Sequence, residues 1–291
     1  MDVNGQLPEG YLQLLQRKRY SRNTIKIYTS YFHDFQVSMK GRDLKSLIKS
    51  DINRYLLGLI RKKGISASQQ NQRINAIKFY YEKVLGRKKQ YYHVSRPKKE
   101  KKLPSVLSPS EVQRILNSVT NLKHMCILMT PYSGGLRRSE LINLKITDID
   151  SERMLIRIRN SKGNKDRYTL LSNSLLLLLR NYYRIHKPKI WLFEGPGGKQ
   201  YSATSIENIF RRALKKAGIP KHATPHTLRH SFATHLLEQG VNLRYIQELL
   251  GHSSSRTTEI YTRVSTHKLS QIINPLDNLH QQNLPNHPST G

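Results

Sequence analysis

The sequence predicts a mainly α-helical protein with one small antiparallel β-sheet, divided into two domains. Three observations support this prediction. Before residue 92, apolar side chains recur at steps of three and four, which is the period of an amphipathic helix. A charged stretch that contains two prolines interrupts the pattern at residues 93–106. Further on, residues 154–160 alternate apolar and basic side chains, as a half-buried strand does.

Three amphipathic helices are predicted in the first domain. Ser21 is a suitable N-cap for the first of them, because its hydroxyl can accept a bond from a backbone N–H of the first turn. The three apolar stripes are Ile25, Tyr28, Tyr31, Phe32 and Phe35; Ile52, Tyr55, Leu56, Leu59 and Ile60; and Ile74, Ile77, Tyr80, Tyr81 and Val84. We interpret these aromatic residues as core rather than as platforms for stacking bases, since they recur at helical spacing.

The predicted boundaries give a helical domain at 5–92, a basic linker at 93–106, a second domain at 107–275 and a disordered tail at 276–291. The linker, HVSRPKKEKKLPSV, has no apolar period. Its lysines fit either a solvated spacer or a segment that follows phosphates. The tail is polar and contains prolines, a composition typical of disorder.

The second domain is predicted to be α+β. It opens with a helix start in which Ser108 is the N-cap, Pro109 lies in the first turn and Glu111 completes a capping box. Residues 154–160 and 167–171 form a hairpin whose turn is SKGNKD. Helices are predicted at 122–132, 204–217, 226–239, 242–250 and 256–264, with a short one after Gly134–Gly135.

Net charge indicates the class of partner. Lysine and arginine number 50 against 19 acidic residues, a formal charge of +31. The excess is +17 over residues 1–102 and +14 over residues 103–291, so both domains carry it. Such a surplus strains a compact fold unless a polyanion shares the charge, and phosphate backbones are the commonest polyanion. Both domains are expected to contact nucleic acid; the alternative is a merely basic soluble or ribosomal-type protein.

Cysteine content and hydropathy exclude other classes. Cys126 is the single cysteine, so a disulfide framework and a cysteine-rich metal site are not expected. The start of the chain lacks a signal-peptide pattern, and no apolar run approaches the roughly 20 residues that span a bilayer. We therefore expect a cytoplasmic, nucleoid-associated protein without a membrane partner.

Five segments accumulate residues suited to phosphoryl transfer. They are GGLRRSEL (134–141), SKGNKDR (161–167), HTLRHSFATHLL (226–237), LGHSS (250–254) and EIYTRV (259–264). This series resembles the tyrosine recombinase, or phage integrase, family over residues 20–272. The most specific part is the HxxR pair followed by LGH, with a tyrosine nine residues beyond that histidine.

The resemblance implies a fold and a set of site residues. The fold is an N-terminal helical core-binding (SAM-like) domain followed by an α+β tyrosine recombinase catalytic domain. The implied catalytic residues are Arg137, Lys162, His226, Arg229, His252 and the nucleophile Tyr261. One departure is Ser-Gly-Gly at 133–135, where the family more often has Thr-Gly, but it leaves Arg137 in place.

These residue types suit DNA cleavage through a covalent intermediate. The planar forks of Arg137 and Arg229 can bind the phosphate oxygens that gain charge. A phenol with a pKa near 10 is both a usable nucleophile and a usable leaving group. We expect His226 to exchange a proton with Tyr261, Lys162 to protonate the departing 5′-oxygen, and His252 to donate to the phosphorane. No metal or cofactor is required.

Several positions have competing interpretations. Arg138 and Lys165 compete with Arg137 and Lys162, and the resemblance and the position in the turn favour the latter two. His226 and His230, four residues apart, could suggest a metal pair, but no carboxylate lies between them and Arg229 would repel a cation.

Three further residues near these motifs are expected to have structural roles. His230 and His235 are interpreted as packed or capping residues. Glu140 is expected to pair with a nearby basic group rather than to act as a base.

The function expected from the resemblance is site-specific recombination through a 3′-phosphotyrosine and a Holliday junction, with four protomers on two double-stranded DNA sites. A type IB topoisomerase and a non-catalytic DNA-binding protein are the alternatives. KHATPHTLRHSFATHLL is similar to integron-type and transposon integrases, although only 64 positions separate Lys162 from His226, too few for the integron insertion. We expect the integrase of a mobile element, with an Xer-type chromosome dimer resolvase as the alternative.

Overall fold

The computed structural model describes residues 7–88, 96–97, 104–161, 165–252, 255–259 and 261–262. Contacts between Cα atoms divide the chain into two units, Met1–Lys101 and Lys102–Gly291. The predicted linker lies mostly outside the described residues, and the predicted tail lies outside them completely. In the described ranges, no helix is long and apolar enough to cross a membrane.

The first unit is entirely helical in its described part. Its helices are α1 (Tyr11–Arg17), α2 (Arg22–Ser38), α3 (Lys49–Lys63) and α4 (Ala67–Phe79), with a 3₁₀ turn at Leu44–Ser46 and a π turn at Tyr80–Val84. Ser21 caps α2, because its hydroxyl accepts from the N–H of Thr24 at 3.2 Å. This confirms the predicted N-cap, whereas α1 was not predicted.

Aromatic side chains build the core of this unit. Tyr11 is fully buried, stacks on Phe32 with ring centroids 4.6 Å apart, and donates its hydroxyl to the carbonyl of Ala76 at 3.0 Å. Phe35 and Tyr81 are also fully buried. The interpretation of these aromatic residues as core is confirmed, since rings used for base stacking would have to be exposed.

The second unit contains eight helices and one sheet in its described part. The helices are α5 (Pro109–Asn117), α6 (Leu122–Gly134), α7 (Arg138–Ile142), α8 (Asn173–His186), α9 (Ala203–Lys216), α10 (Pro225–Glu238), α11 (Leu243–Leu250) and α12 (Ser255–Thr258). Short 3₁₀ turns lie at Ile146–Asp148 and Pro196–Gly198. Ser108 and Glu111 form the predicted capping box of α5.

The sheet consists of β1 (Ile149–Asp150), β2 (Leu155–Ser161) and β3 (Lys165–Leu170), paired antiparallel in that order. On β2, Ile156 and Ile158 are buried and face Thr169 and Arg167 of β3, both of which are also buried. The predicted hairpin is confirmed. Its inner face carries a buried arginine, which the alternation of apolar and basic residues did not indicate.

Two helices differ from prediction. Helix α8 was not predicted, although it buries Leu175, Leu179 and Tyr182. The helix predicted at 256–264 is wrong at residues 259, 261 and 262, because α12 ends at Thr258 and these three lie in turns. Residues 260, 263 and 264 lie outside the described residues. The N–H of Tyr261 donates to the carbonyl of Thr258 at 3.0 Å, a three-residue step that tightens the chain.

Candidate active site

Helix α10 places Arg229 in the interior of the second unit. Its guanidinium is 1% exposed and donates to the carbonyls of Gly135 at 2.6 Å and Leu250 at 2.8 Å. Burial, followed by the nearby charge of Arg137, lowers the pKa of Arg229 to about 10, so it remains a cation at neutral pH. Backbone carbonyls thus fix the orientation of this cation before any ligand binds.

The carbonyl of Gly135 that accepts from Arg229 belongs to a position that only glycine can occupy. Gly135 is the C-cap of α6 with φ +62°, and a Cβ there would lie 2.6 Å from Cδ1 of Phe232 and 2.8 Å from Cδ2 of Leu250. Real Cβ contacts are not this short, so the position requires glycine on both conformational and steric grounds. The Ser-Gly-Gly sequence therefore serves the approach of α10 and α11 to the end of α6.

Glu140 joins the two predicted arginines. Its side chain is 5% exposed. Oε1 of Glu140 lies 2.7 Å from Nη1 of Arg137, and Oε2 lies 3.5 Å from Nη1 of Arg229. The backbone N–H of Arg137 also donates to Glu140 at 2.7 Å. Burial alone would raise the pKa of Glu140, but the charges of Arg167, Arg137 and Arg229 outweigh it and the pKa is lowered. The prediction that Glu140 pairs with a basic group is confirmed.

A third guanidinium binds the same carboxylate. Arg167, on β3, donates from Nη2 to Oε2 of Glu140 at 3.0 Å, and its side chain is 7% exposed. Its Nε and Nη1 have no hydrogen-bond partner among the described residues. Three cations therefore surround one anion, and the cluster has a net positive charge.

Arg137 and its neighbour point in opposite directions. Arg137 precedes α7, is 21% exposed and donates from Nη2 to the carbonyl of Gly251 at 3.4 Å. Arg138 forms an ion pair with Glu207, and both of these side chains are substantially exposed. The structure thus turns Arg137, not Arg138, towards the buried cluster.

His252 follows α11 and uses both ring nitrogens. Its Nε2 lies 3.0 Å from Nη2 of Arg229, and its Nδ1 lies 2.9 Å from the hydroxyl of Thr258. A guanidinium only donates, so Nε2 accepts and the proton of the neutral ring is on Nδ1. Burial, followed by the charges of Arg229 and Arg137, lowers the pKa of His252 to about 3.

Tyr261 lies in the same buried region of the same chain. Its side chain is 1% exposed, and its ring is nearly parallel to that of His252, with centroids 6.4 Å apart. The hydroxyl lies 3.2 Å from Nδ1 of His230. Burial raises the pKa of Tyr261, and the nearby charge of Arg229 opposes that rise.

His226 occupies the exposed start of α10. Its ring packs edge-on against His230, with centroids 4.5 Å apart, and burial of part of the ring, with the charges of Arg229 and Arg137, lowers its pKa. His235, further along the helix, accepts or donates a 2.9 Å bond with the hydroxyl of Tyr132, which confirms a packed role. Among the described residues, no three His, Cys, Asp or Glu side chains are grouped as metal ligands.

The structure therefore brings together five of the six predicted site residues, namely Arg137, His226, Arg229, His252 and Tyr261. The sixth, Lys162, lies outside the described residues. Two features of the site were not predicted from the sequence: the contact of His230 with the hydroxyl of Tyr261, and the burial of Arg167 on β3. For His230 a signal existed, because a step of four residues puts it on the same helical face as His226.

Comparison with known proteins identifies the family. A model described as the Phage integrase family matches residues 105–268, and one described as Phage integrase, N-terminal SAM-like domain, matches residues 7–90. The chain belongs to the phage integrase family. It is a tyrosine recombinase, an enzyme that cleaves and rejoins DNA in site-specific recombination.

Related proteins align with this recombinase over nearly its whole length. A putative integrase/recombinase, y4qK, of Sinorhizobium fredii is 41% identical over 269 residues, which are 90% of this chain and 86% of the relative. The tyrosine recombinase XerA of Pyrococcus horikoshii is 36% identical over 275 residues, 93% of each chain. The fold resembles that of the XerH site-specific recombinase bound to palindromic difH substrate, with a TM-score of 0.70 and 22% sequence identity. The match covers 89% of this chain and 83% of the XerH chain.

Proposed function

We propose that this recombinase cleaves DNA with Tyr261 as nucleophile, and that Arg137 and Arg229 bind the scissile phosphate. One observation carries the proposal: the buried hydroxyl of Tyr261 lies beside Arg229, whose partner Glu140 also holds Arg137. In-line attack on a phosphodiester is accelerated by a positioned nucleophile and by fixed cations that stabilise the negative charge developing on the phosphate. All of them come from one protomer.

The proposed reaction begins with attack of the phenolic oxygen of Tyr261 on phosphorus. A new O–P bond forms, the bond from phosphorus to the 5′-oxygen breaks, and the electron pair leaves with that oxygen. The phenolic proton passes to an imidazole of α10, and the departing oxygen takes a proton from Lys162, a role that rests on the family resemblance. The 3′-phosphotyrosine retains the bond energy, so rejoining follows the same steps in reverse.

Charge in the cluster favours this reaction. Arg137, Arg167 and Arg229 surround the single carboxylate of Glu140, which leaves two positive charges for one phosphodiester. Those charges are fixed before the phosphate arrives, so little reorganisation is needed as negative charge develops.

We propose that four protomers act on two double-stranded DNA sites and exchange strands through a Holliday junction. Residues 5–92 would form the core-binding domain, joined by a linker at 93–106 to a catalytic domain at 107–275. The XerH relative is described as bound to its difH substrate, which supports a DNA duplex as partner. Such an enzyme would work on nucleoid DNA in the cytoplasm.

The biological role proposed is integration of a mobile element, with chromosome dimer resolution as the alternative. The Sinorhizobium relative is named an integrase/recombinase, which favours the first, and the Pyrococcus relative is named XerA, which favours the second. The two roles differ in what the recombinase joins. Sequencing of the junctions it forms in a reporter host, either element ends to target DNA or two copies of one chromosomal site, would decide between them.

The test of the active site is capture of a covalent complex. A pool of nicked duplexes with randomised arms is incubated with the full chain, and DNA that stays attached to protein in denaturing gels is sequenced. We expect attachment with the native protein and none with Tyr261→Phe. A mixture of Tyr261→Phe and Arg229→Ala should also be inactive, because each tyrosine lies beside the arginine of its own chain. Attachment by Tyr261→Phe alone would refute the assignment.

A further inference from the structure

Two histidines on one face of α10 lie near the nucleophile, and only one touches it. His230 Nδ1 is 3.2 Å from the hydroxyl of Tyr261, and the two ring centroids are 5.7 Å apart. His226 lies one turn earlier on the exposed end of the helix, with its ring against that of His230. In the structure, His226 thus contacts the ring of His230, and it is His230 that lies within hydrogen-bond distance of the tyrosine hydroxyl.

We propose that His230 is a catalytic residue of this recombinase, the direct acceptor of the Tyr261 proton during cleavage and its donor during rejoining. This inference rests on the proposed role of Tyr261 as nucleophile. His226 then has a different task, at the solvent side of the site. It can exchange protons with water and contact the phosphate.

The proton transfer balances with the bond changes. As the O–P bond forms, the phenolic proton moves along the hydrogen bond to Nδ1 of His230, whose own proton is on Nε2. The ring becomes an imidazolium while the 5′-oxygen leaves with its electron pair and a proton from Lys162. In rejoining, the 5′-hydroxyl attacks phosphorus and returns its proton to the amine of Lys162, the phosphotyrosine bond breaks, and the phenolate recovers the proton from Nδ1.

The other groups near the hydroxyl are unsuited to this task. Arg229 has no lone pair to accept a proton at neutral pH. His252 has Nε2 against Arg229 and Nδ1 against Thr258, so both nitrogens are engaged. Glu140 lies among three guanidiniums, which hold it ionised and away from proton exchange. Among the described residues, His230 is the base that the hydroxyl already contacts.

The electrostatic surroundings make His230 responsive to substrate. Burial, followed by the nearby His226 and Arg229, lowers the pKa of His230 to about 4, so the ring is neutral and able to accept. It is a weak base in this state. A phosphodiester bound to Arg229 and Arg137 adds a negative charge beside the ring and offsets their repulsion, which raises its affinity for a proton. The base is thus strengthened when the phosphate is in place.

The chain offers a matched control on the same helix. His235 Nδ1 lies 2.9 Å from the hydroxyl of Tyr132, the same pairing of groups as in His230 and Tyr261. Tyr132 and His235 have no part in the proposed reaction. A substitution that only loosens a histidine–tyrosine contact on α10 should therefore have similar effects on folding at both positions.

The experiment compares His230→Asn, His230→Ala, His226→Asn and His235→Asn in the full chain. Asn at 230 keeps a short polar side chain but cannot hold the proton. The substrates are a nicked duplex captured by the native protein and the same duplex with sulfur as the bridging 5′-atom, which leaves without protonation. We expect the His230 variants to form the covalent complex on the order of 10²–10⁴-fold more slowly than native. His235→Asn should stay near the native rate.

Two further readouts separate catalysis from structure. The sulfur substrate should not restore the His230 variants, because their defect concerns the nucleophile, whereas it should restore Lys162→Ala. Added imidazole should accelerate His230→Ala, since it can fill the vacated space and accept the proton. Near-native cleavage by both His230 variants, or a loss equal to that of His235→Asn, would overturn the inference. A native chain with no complex dependent on Tyr261 would refute the proposed function instead.

Discussion

Arg167 of β3 and Glu140 of α7 form an ion pair of 3.0 Å in which the side chains are 7% and 5% exposed. The pair links β3 to α7, the helix that follows Arg137. Because Glu140 also binds Arg137 and Arg229, one carboxylate neutralises part of the charge of three guanidiniums. The arrangement of the two arginines that we propose to bind the phosphate therefore depends on the carboxylate of Glu140.

Glu140→Gln should destabilise the second unit strongly. The isosteric amide removes the negative charge and leaves three buried or half-buried cations to repel one another, a change that typically costs about 3–5 kcal/mol. Urea unfolding followed by the fluorescence of Trp191, the single tryptophan, measures it in this unit.

Glu207→Gln is the control for that measurement. Glu207 forms an ion pair with Arg138, the residue after Arg137, but the side chains of Glu207 and Arg138 are 53% and 44% exposed. Its loss should cost at most about 1 kcal/mol, as for other surface pairs. Equal destabilisation by the two substitutions would contradict a structural role for the buried carboxylate.

His252 should make the second unit less stable as pH falls. Its folded pKa, about 3, is below the usual value of about 6.5. Between these values the unfolded chain binds a proton that the folded chain does not, so stability decreases as pH drops below about 6.5. From pH 7 to pH 5 this histidine alone should remove about 2 kcal/mol.

The measurement is the difference in unfolding free energy between the two pH values. In His252→Gln that difference should be smaller by about the same amount, since the amide does not titrate. Some dependence should remain, because the pKa of His230 is also lowered, to about 4. An unchanged pH dependence in the variant would show that His252 does not reside in the neutral, buried state.

Arg73 should be important for the stability of the first unit. It donates to the hydroxyl of Tyr55 and to Asp34, each at 2.9 Å, and its guanidinium lies over the ring of Tyr31. These contacts join α2, α3 and α4. Arg73→Met should lower the free energy of unfolding by about 1–2 kcal/mol, because hydrogen bonds to a charged group are lost.

Arg54→Met is the comparison for Arg73, measured by tyrosine fluorescence and circular dichroism. Arg54 is 79% exposed and lies 4.0 Å from Asp51, so its substitution should have little effect. If Arg54→Met were as destabilising as Arg73→Met, burial and the network of contacts would not explain the role of Arg73.

The features of the fold that were predicted correctly depend on residues close together in the sequence. The cap at Ser108 and the spacing of His226 and Arg229 involve neighbours in the chain, so short motifs are sufficient to find them. Helix α8 was missed because the run LLLLL at 175–179 has no period, although Leu175 is fully buried and Leu177 is 66% exposed. Only packing against the rest of the unit reveals which leucines face inward.

The parts of the site that were missed depend on long-range geometry. Arg167 meets Glu140 across 27 positions, and it faces inward only because of the register that pairs it with Ile158. Likewise, spacing placed His226 and His230 on one face without indicating which one meets Tyr261. That choice is made by the turn after α12, 31 residues beyond His230.

Gly135→Ala should damage both stability and cleavage. The residue has φ +62°, which costs a non-glycine residue roughly 1–2 kcal/mol, and its Cβ would collide with Phe232 and Leu250. Overpacking of this kind adds about 1–3 kcal/mol. Its carbonyl accepts from Arg229 at 2.6 Å, so relief of the collision also displaces the acceptor that orients this arginine.

Gly197→Ala separates the backbone cost from the steric one. Gly197 has φ +67°, and nothing lies within 4 Å of the position its Cβ would take. Urea unfolding should show about 1–2 kcal/mol of destabilisation for Gly197→Ala and a larger loss for Gly135→Ala. At equal concentrations of folded protein, only Gly135→Ala should slow formation of the covalent complex. Native cleavage by folded Gly135→Ala would mean that Arg229 keeps its orientation without this carbonyl.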